Sequence, residues 1–466
     1  MAARASTASI DAMMRAMPEL ADRVSAAIIW AADAVFGWWT LALLLGSGLF
    51  LSIRLRFVQV THFREALRTL VPASQAGAKG PLTPFQAFMT ALGASIGTGN
   101  IAGVATAVVT GGPGAVFWIW VYGFFATAIK FTEAVLGIRY RQLVGDRLSA
   151  GPMHYLRDGL GSPRLAWTYA LVAGVAALTT TPMSQPNSMA VVLQSVAGVP
   201  PLASGIAIAI LAWLVIIGGI KSIGRAAEKL APAKVFLYLA GGLVVIATHA
   251  THLPAVLAMI VREAFSVGAV TGGTAGVGVM VAMRYGIARG VYANEAGYGT
   301  AAVAYGTARS DRPAQQGLNA VMEVFIVSFV TSSISALTIL VSGVWNSGAK
   351  STAVVAQAFN TAMPTVGGWI LAFCAFLFGY TTLIGWAYYG EQFLEYIFGR
   401  LIVLPYRIIY CGLIVVGAQS KVDTVWAWGD LMNGLQIFPN LIGLVGLSGV
   451  AALYLRRPTS EETPTA

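Results

Sequence analysis

Charge is scarce in this 466-residue chain: Asp, Glu, Lys and Arg together make up 10% of it, against about 25% in soluble domains. With 57% hydrophobic residues and a mean hydropathy of +0.73, a water-soluble globular domain is excluded and a polytopic membrane protein is expected. Cysteine is scarcer still. Cys374 and Cys411 both lie in apolar stretches, so no disulfide framework follows. His62, His154, His249 and His252 are scattered, and no cluster has metal-ligand spacing. The chain lacks Gly-x-x-x-x-Gly-Lys-Ser/Thr, so an ATP-driven cycle is not expected. Nor does it pair a nucleophile with a nearby base, and an enzyme is not expected. No cofactor is called for. The N-terminus lacks a basic segment leading into a short apolar core, so no removable signal peptide is expected.

What the chain has is apolar length. Runs of about twenty residues recur about eleven times, near 35–53, 84–108, 114–138, 166–197, 203–220, 230–250, 276–305, 316–344, 366–390, 400–420 and 434–455. The excess of Lys and Arg over Asp and Glu, 29 against 19, could suggest nucleic acid, but it falls in alternate loops. Arg54, Arg56, Arg64, Arg68 and Lys79 fill the first. Arg139, Arg141, Arg147, Arg157 and Arg164 fill the third, and Lys221, Arg225 and Lys229 the fifth. The intervening loops carry little beyond Arg262, Lys350 and Lys421. The alternation reads as topology, placing the odd loops and the C-terminus in the cytoplasm and the N-terminus outside.

Two spans are interrupted. Gly93, Gly97, Gly99 and Gly103 surround Thr98 and Asn100 in the second span, where an unpaired backbone group in hydrocarbon costs several kcal/mol. Unwinding there is tolerated only beside protein or a watery cavity, so the break implies a site. Close helix packing through small residues is the alternative. A second interruption, within 284–297, carries Arg284, Arg289 and Glu295 among glycines; the arginines read as structural ion pairs, Asn294 and Glu295 as the site or its surroundings. Each break opens a block of five spans, 84–250 and 276–455. An odd block length makes the second enter from the opposite face. The fold expected is therefore all-α, with about eleven membrane helices in a five-plus-five inverted repeat. The segments are 1–34 at the N-terminus, 35–83 as an extra helix and loop, the two repeats separated by an external loop at 251–275, and a tail at 456–466.

Several long strings carry a specific resemblance: Phe85-Gln-Ala-Phe-Met-Thr-Ala-Leu92, Gly97-Thr-Gly-Asn-Ile-Ala-Gly-Val-Ala-Thr-Ala107, Lys130-Phe-Thr-Glu133, Gly218-Gly-Ile-Lys-Ser-Ile-Gly224, Asn294-Glu-Ala-Gly297, Gly385-Trp-Ala-Tyr-Tyr-Gly-Glu391 and Pro439-Asn-Leu-Ile-Gly443. Through them the chain resembles the alanine/glycine:cation symporter family, the sodium:alanine symporters, from about Gly37 to about Gly449. The resemblance implies a LeuT-type fold and uptake of alanine or glycine with sodium. The partners implied are a small amino acid, sodium and the lipid bilayer; no nucleic acid and no obligate protein partner are implied. Proton coupling, another small substrate, or a sensor that binds without translocating remain open. Pro182 and Pro186 motivate the first two, because they replace polar residues of the family in the stretch Thr179-Thr-Thr-Pro-Met-Ser-Gln-Pro-Asn-Ser188.

A zwitterion entering this site must have both ends desolvated and partnered. The amides around Gly97, Thr98, Gly99 and Asn100 are assigned to its carboxylate, and carbonyls near Tyr292–Asn294 to its ammonium, with no ionised side chain needed. Gln185 suits the substrate or its surroundings. Trp386, four residues after Thr382, is expected to wall the pocket against side chains larger than methyl. The LeuT-type resemblance further implies a sodium site on the carbonyls of Gly93 and Ile96 and the hydroxyls of Thr381 and Thr382. Lys130 and Glu133, spaced i,i+3, are expected to pair, and Glu323 has no evident partner.

Overall fold

The computed structural model describes residues 22–70, 77–144, 147–266 and 277–456. Helix α1 spans Asp22–Arg54. Thr83 then starts the first broken span: its hydroxyl accepts Gln86 N–H, and the Gln86 side chain accepts Thr83 N–H, both at 3.1 Å. This reciprocal cap, with Pro84 in the first turn, satisfies two helix-end donors. The helix it opens, α2 (Pro84–Ser95), ends in the glycine cluster. A single turn at Thr98–Asn100 follows, then α3 (Ala102–Gly111), the two halves bent by 54°.

The first repeat continues with α4 (Ala115–Arg139), α5 (Pro163–Ala197), α6 (Pro201–Ile216) and α7 (Gly219–Thr248). The second opens with α8 (Val277–Asn294) and α9 (Thr300–Gly306), separated by a break at 295–299. It closes with α10 (Pro313–Val341), α11 (Gly367–Phe398), α12 (Arg400–Gln419) and α13 (Val422–Gly446), with a bend into α14 (Ser448–Arg456). Among the described residues, seven helices are long and apolar enough to cross a membrane, and the two bent pairs raise that to nine. The shorter α6 and the charge-bearing α8–α9 pair fill the two remaining expected places. An antiparallel hairpin, Gln142–Val144 with Arg147–Ser149, follows α4.

Three boundaries differ from expectation. Helix α7 begins at Gly219, so Lys221, Arg225 and Lys229 ride on its first turns instead of filling a loop. Helix α13 begins at Val422, not near 434, so Asp423 and Asp430 ride on its first turns instead of lying in a loop. Helix α8 is continuous through Arg284 and Arg289, so the second break lies only at the end of the predicted stretch. Its glycines serve contact: a Cβ on Gly286 would lie 2.4 Å from Ala115 O on α4. The break itself needs left-handed backbone, with φ of +58° at Glu295, +95° at Gly297 and +84° at Gly299.

The exterior matches lipid. Trp39, Ile53, Leu214, Phe236 and Leu404 are all exposed, and outside a bilayer such apolar area would be costly.

Candidate functional site

The two breaks lie side by side. Helix α3 packs on α8 and α2 on α9, which aligns the two broken spans antiparallel with their interruptions at one level. Between them is a small hollow, lined by Ala94, Ser95, Gly97 and Gly99 of the first break and by Tyr292, Glu295 and Tyr298 of the second. Thr181 and Gln185 of α5, Thr382 and Trp386 of α11, and Asn433 of α13 complete it. The glycines are where side chains would intrude. A Cβ on Gly97 would sit 2.6 Å from Thr382 Oγ1 and 2.9 Å from Gln185 Oε1, and one on Gly99 2.8 Å from the Tyr292 ring.

Gly97, Gly99, Gln185, Tyr292 and Trp386 thus line the hollow. Thr98 stands just behind, its N–H and hydroxyl both donating to Gln185 Oε1 at 2.9 Å. That pair of donors is the set a carboxylate oxygen would use. Asn100 does not line the hollow. Its Nδ2 donates to Ser95 O at 2.9 Å and its Oδ1 accepts from Ser332 at 3.2 Å, so it braces the break.

Asn294 is also spent on structure. Its carbonyl accepts Lys130 Nζ at 2.6 Å, its Oδ1 accepts Ala296 N–H at 3.0 Å and its Nδ2 donates to Ser328. A carbonyl already bonded to a buried ammonium is a poor second partner for a substrate's ammonium. The adjacent Glu295 faces the hollow instead, 4% exposed. Its Oε1 accepts Trp386 Nε1–H at 2.6 Å and its Oε2 accepts the Thr300 hydroxyl at 2.9 Å. Each oxygen keeps a further lone pair. A carboxyl side chain therefore stands at the end where only main-chain oxygens were expected. The charge of Glu295 beside a helix break was its signal in the sequence; Thr181, Tyr298 and Asn433 gave none.

Lys130 and Glu133 do not pair with each other. Lys130 reaches Glu323 of α10 at 2.8 Å, and Glu323 also accepts the hydroxyls of Ser95 at 2.5 Å and Tyr305 at 2.9 Å. Glu133 instead accepts the freed N–H groups of Gly297 (2.9 Å) and Gly299 (3.1 Å), with Asn440 Nδ2 at 2.9 Å. One helical turn of α4 thus holds the second break from both sides, an ammonium on the Asn294 carbonyl and a carboxylate on the Gly297 and Gly299 amides, and Lys130 also donates to the Ser95 hydroxyl of the first break at 3.1 Å.

The residues implied for sodium also gather, around an occupant from the chain itself. The carbonyl oxygens of Gly93 and Ile96 and the Thr381 hydroxyl oxygen accept the Lys234 ammonium of α7 at 2.9, 2.5 and 2.5 Å. The Thr382 hydroxyl turns to Ala94 O at 2.8 Å.

Beyond the hollow, towards the start of α13, Arg289 pairs with Asp430, and its guanidinium lies 5.1 Å from the Trp426 ring centre. Trp426 in turn meets Tyr292 at 4.8 Å. These groups close that side. Arg284 pairs with Asp33, so both arginines are in ion pairs, as a structural reading requires. In the connection between α4 and α5, burial and the neighbouring Arg157 push the His154 imidazole down to about 4.

The profile of the sodium:alanine symporter family matches residues 21–463. The chain belongs to this family. A protein of Methanococcus maripaludis named sodium/alanine symporter AgcS is 39% identical over 426 residues, covering 89% of this chain and 93% of its own. A Bacillus subtilis protein named probable sodium/glutamine symporter GlnT is 32% identical over 436 residues, covering 93% and 90%. Among solved structures, that of MhsT with L-phenylalanine superposes with a TM-score of 0.58 over 81% of this chain and 99% of its own, at 12% identity. The fold is accordingly of the LeuT type. The chain is a multi-pass membrane protein of an amino-acid symporter family, whose named relatives are transporters and not enzymes.

Proposed function

We propose that this protein imports a small neutral amino acid, alanine or glycine, together with a monovalent cation by alternating access. The carrying observation is the hollow between the breaks, with amide donors at one end and the Glu295 carboxylate at the other. The substrate carboxylate takes the Gly99 amide and the Thr98 donors now given to Gln185, and its ammonium meets Glu295. The space left between these side chains is small, which suits a substrate side chain of methyl size or none. Trp386 is the wall on that side.

Sodium is the cation in the family's name. A zwitterion moving with one monovalent cation carries one net charge, about 2.3 kcal/mol per 100 mV, which sustains roughly 40-fold accumulation. The loop charges orient the chain with its C-terminus in the cytoplasm and N-terminus outside a bacterial inner membrane. The test is uptake of labelled alanine into proteoliposomes under an inward cation gradient. Accumulation above the equilibrium level is expected; binding without accumulation would instead mark a sensor.

A further inference from the structure

Lys234 stands beside the first break, apart from the groups assigned to the substrate and from the Lys130, Glu133 and Glu323 network. It is fully buried, and its three N–H donors are matched by three oxygens: Gly93 O, Ile96 O and Thr381 Oγ1. The Phe378 ring lies 5.2 Å away on a further side. Two of these oxygens come from the break in α2, the third from α11, and the ammonium from α7, so one charge ties three helices across the interrupted backbone. Carbonyls and hydroxyls at this density are what a hard monovalent cation also seeks. An ammonium at 2.5–2.9 Å from all three leaves no room for one.

We propose that the Lys234 side chain is the cation of this cradle, and that a proton carried by its amine replaces sodium as the coupling ion. The inference rests on the symport reading above. A proton from the outer side bonds to the amine lone pair; the resulting ammonium draws α2, α7 and α11 together and shapes the Gly97–Gly99 turn that receives the substrate. When the bundle opens to the cytoplasm the three contacts part, the N–H bond breaks and the proton leaves to water. No electron moves, and one charge crosses with each zwitterion.

The surroundings permit this cycle. Helices α2 and α6, residues 332–341 of α10 and the helix Thr352–Ala362 carry no titratable side chain. Helix α11 presents Cys374 and Tyr380, and further along Tyr388, Tyr389, Glu391, Glu395 and Tyr396. On α7 itself, Tyr238 one turn away is bonded to Ser335 at 2.6 Å, and Glu228 lies towards the charged end. Among the described residues no carboxylate is in salt-bridge contact with Lys234. Glu295, across the break, is the acidic group that acts on it electrostatically, which links the cation position to the substrate's ammonium partner.

The test is alanine uptake in proteoliposomes under a sodium gradient alone, a proton gradient alone, and neither. The proton gradient is expected to raise accumulation at least tenfold, and replacing sodium by choline to change it less than twofold. Lys234→Met should abolish the proton stimulation. Should that variant fail to fold, Thr381→Ala decides. Losing one acceptor of a charged donor, it should move the pH of half-maximal uptake about one unit towards acid. Sodium-driven accumulation without proton stimulation, proton stimulation that survives Lys234→Met, or an unmoved pH profile in Thr381→Ala overturns the assignment. Wild-type protein that neither exchanges nor accumulates alanine under any gradient refutes the transport reading itself.

Discussion

Replacing Trp386 separates its two roles at the hollow. The indole forms a wall, edge-on to Tyr298 at 6.2 Å, and its Nε1–H holds Glu295 at 2.6 Å. Trp386→Ala removes both. Leucine exceeds alanine by three carbons, and burying each is worth about 0.8 kcal/mol. Opening the wall should therefore shift the leucine-to-alanine preference by about 2.4 kcal/mol, or roughly 60-fold in kcat/KM. Losing the donor to a buried carboxylate costs about 1.5–3 kcal/mol, so alanine transport should fall roughly 10- to 150-fold. Trp386→Phe keeps most of the wall and loses the donor: alanine uptake falls with no gain for leucine. Competition of unlabelled leucine against labelled alanine in proteoliposomes reads both quantities. If Trp386→Ala discriminates against leucine as the parent does, the indole does not set the size limit.

Three further outcomes are expected. Lys130→Met strands Glu323 in the interior, which should cost about 3–5 kcal/mol, whereas Lys130→Met with Glu323→Met should recover most of it; equal thermal stability of single and double variants would contradict the pairing. Gly97→Ala projects a methyl to within 2.6 Å of Thr382 Oγ1, so the KM for alanine should rise at least about tenfold with folding retained, and an unchanged KM would remove this turn from the binding surface. The His154 imidazole sits at about 4, below its unfolded value of about 6.5, so its neutral form is favoured by the fold. The stability this gives is complete above about 6.5 and is lost as pH falls towards 4, by about 3 kcal/mol. His154→Phe should flatten that part of an acid-unfolding profile, and an identical profile would refute it.

The first break was legible because four glycines cluster with two polar residues, Thr98 and Asn100, inside one apolar span, a combination that close helix packing alone does not call for. The second was placed too broadly for a physical reason. Gly286 and Gly290 lie against α4, where a Cβ would meet Ala115 O or the Tyr122 ring, so they permit contact and leave the helix intact. Only the left-handed residues at 295–299 interrupt it. Partners across the fold were illegible. The i,i+3 spacing of Lys130 and Glu133 suggested a local pair, but two freed backbone ends and Glu323, 193 positions downstream of Lys130, are stronger partners for isolated buried charges. Lys234 carries no signal in the sequence, where it is a lone lysine near the start of an apolar span. Its meaning appears only when α2 and α11 deliver three oxygens to one point.

The most direct test of the paired breaks as the seat of transport is a structure determined with alanine bound. Its carboxylate is expected within hydrogen-bonding distance of the Thr98 and Gly99 amides and its ammonium beside Glu295. Alanine bound elsewhere, with the hollow between 96–101 and 295–299 left to the protein's own side chains, would contradict it.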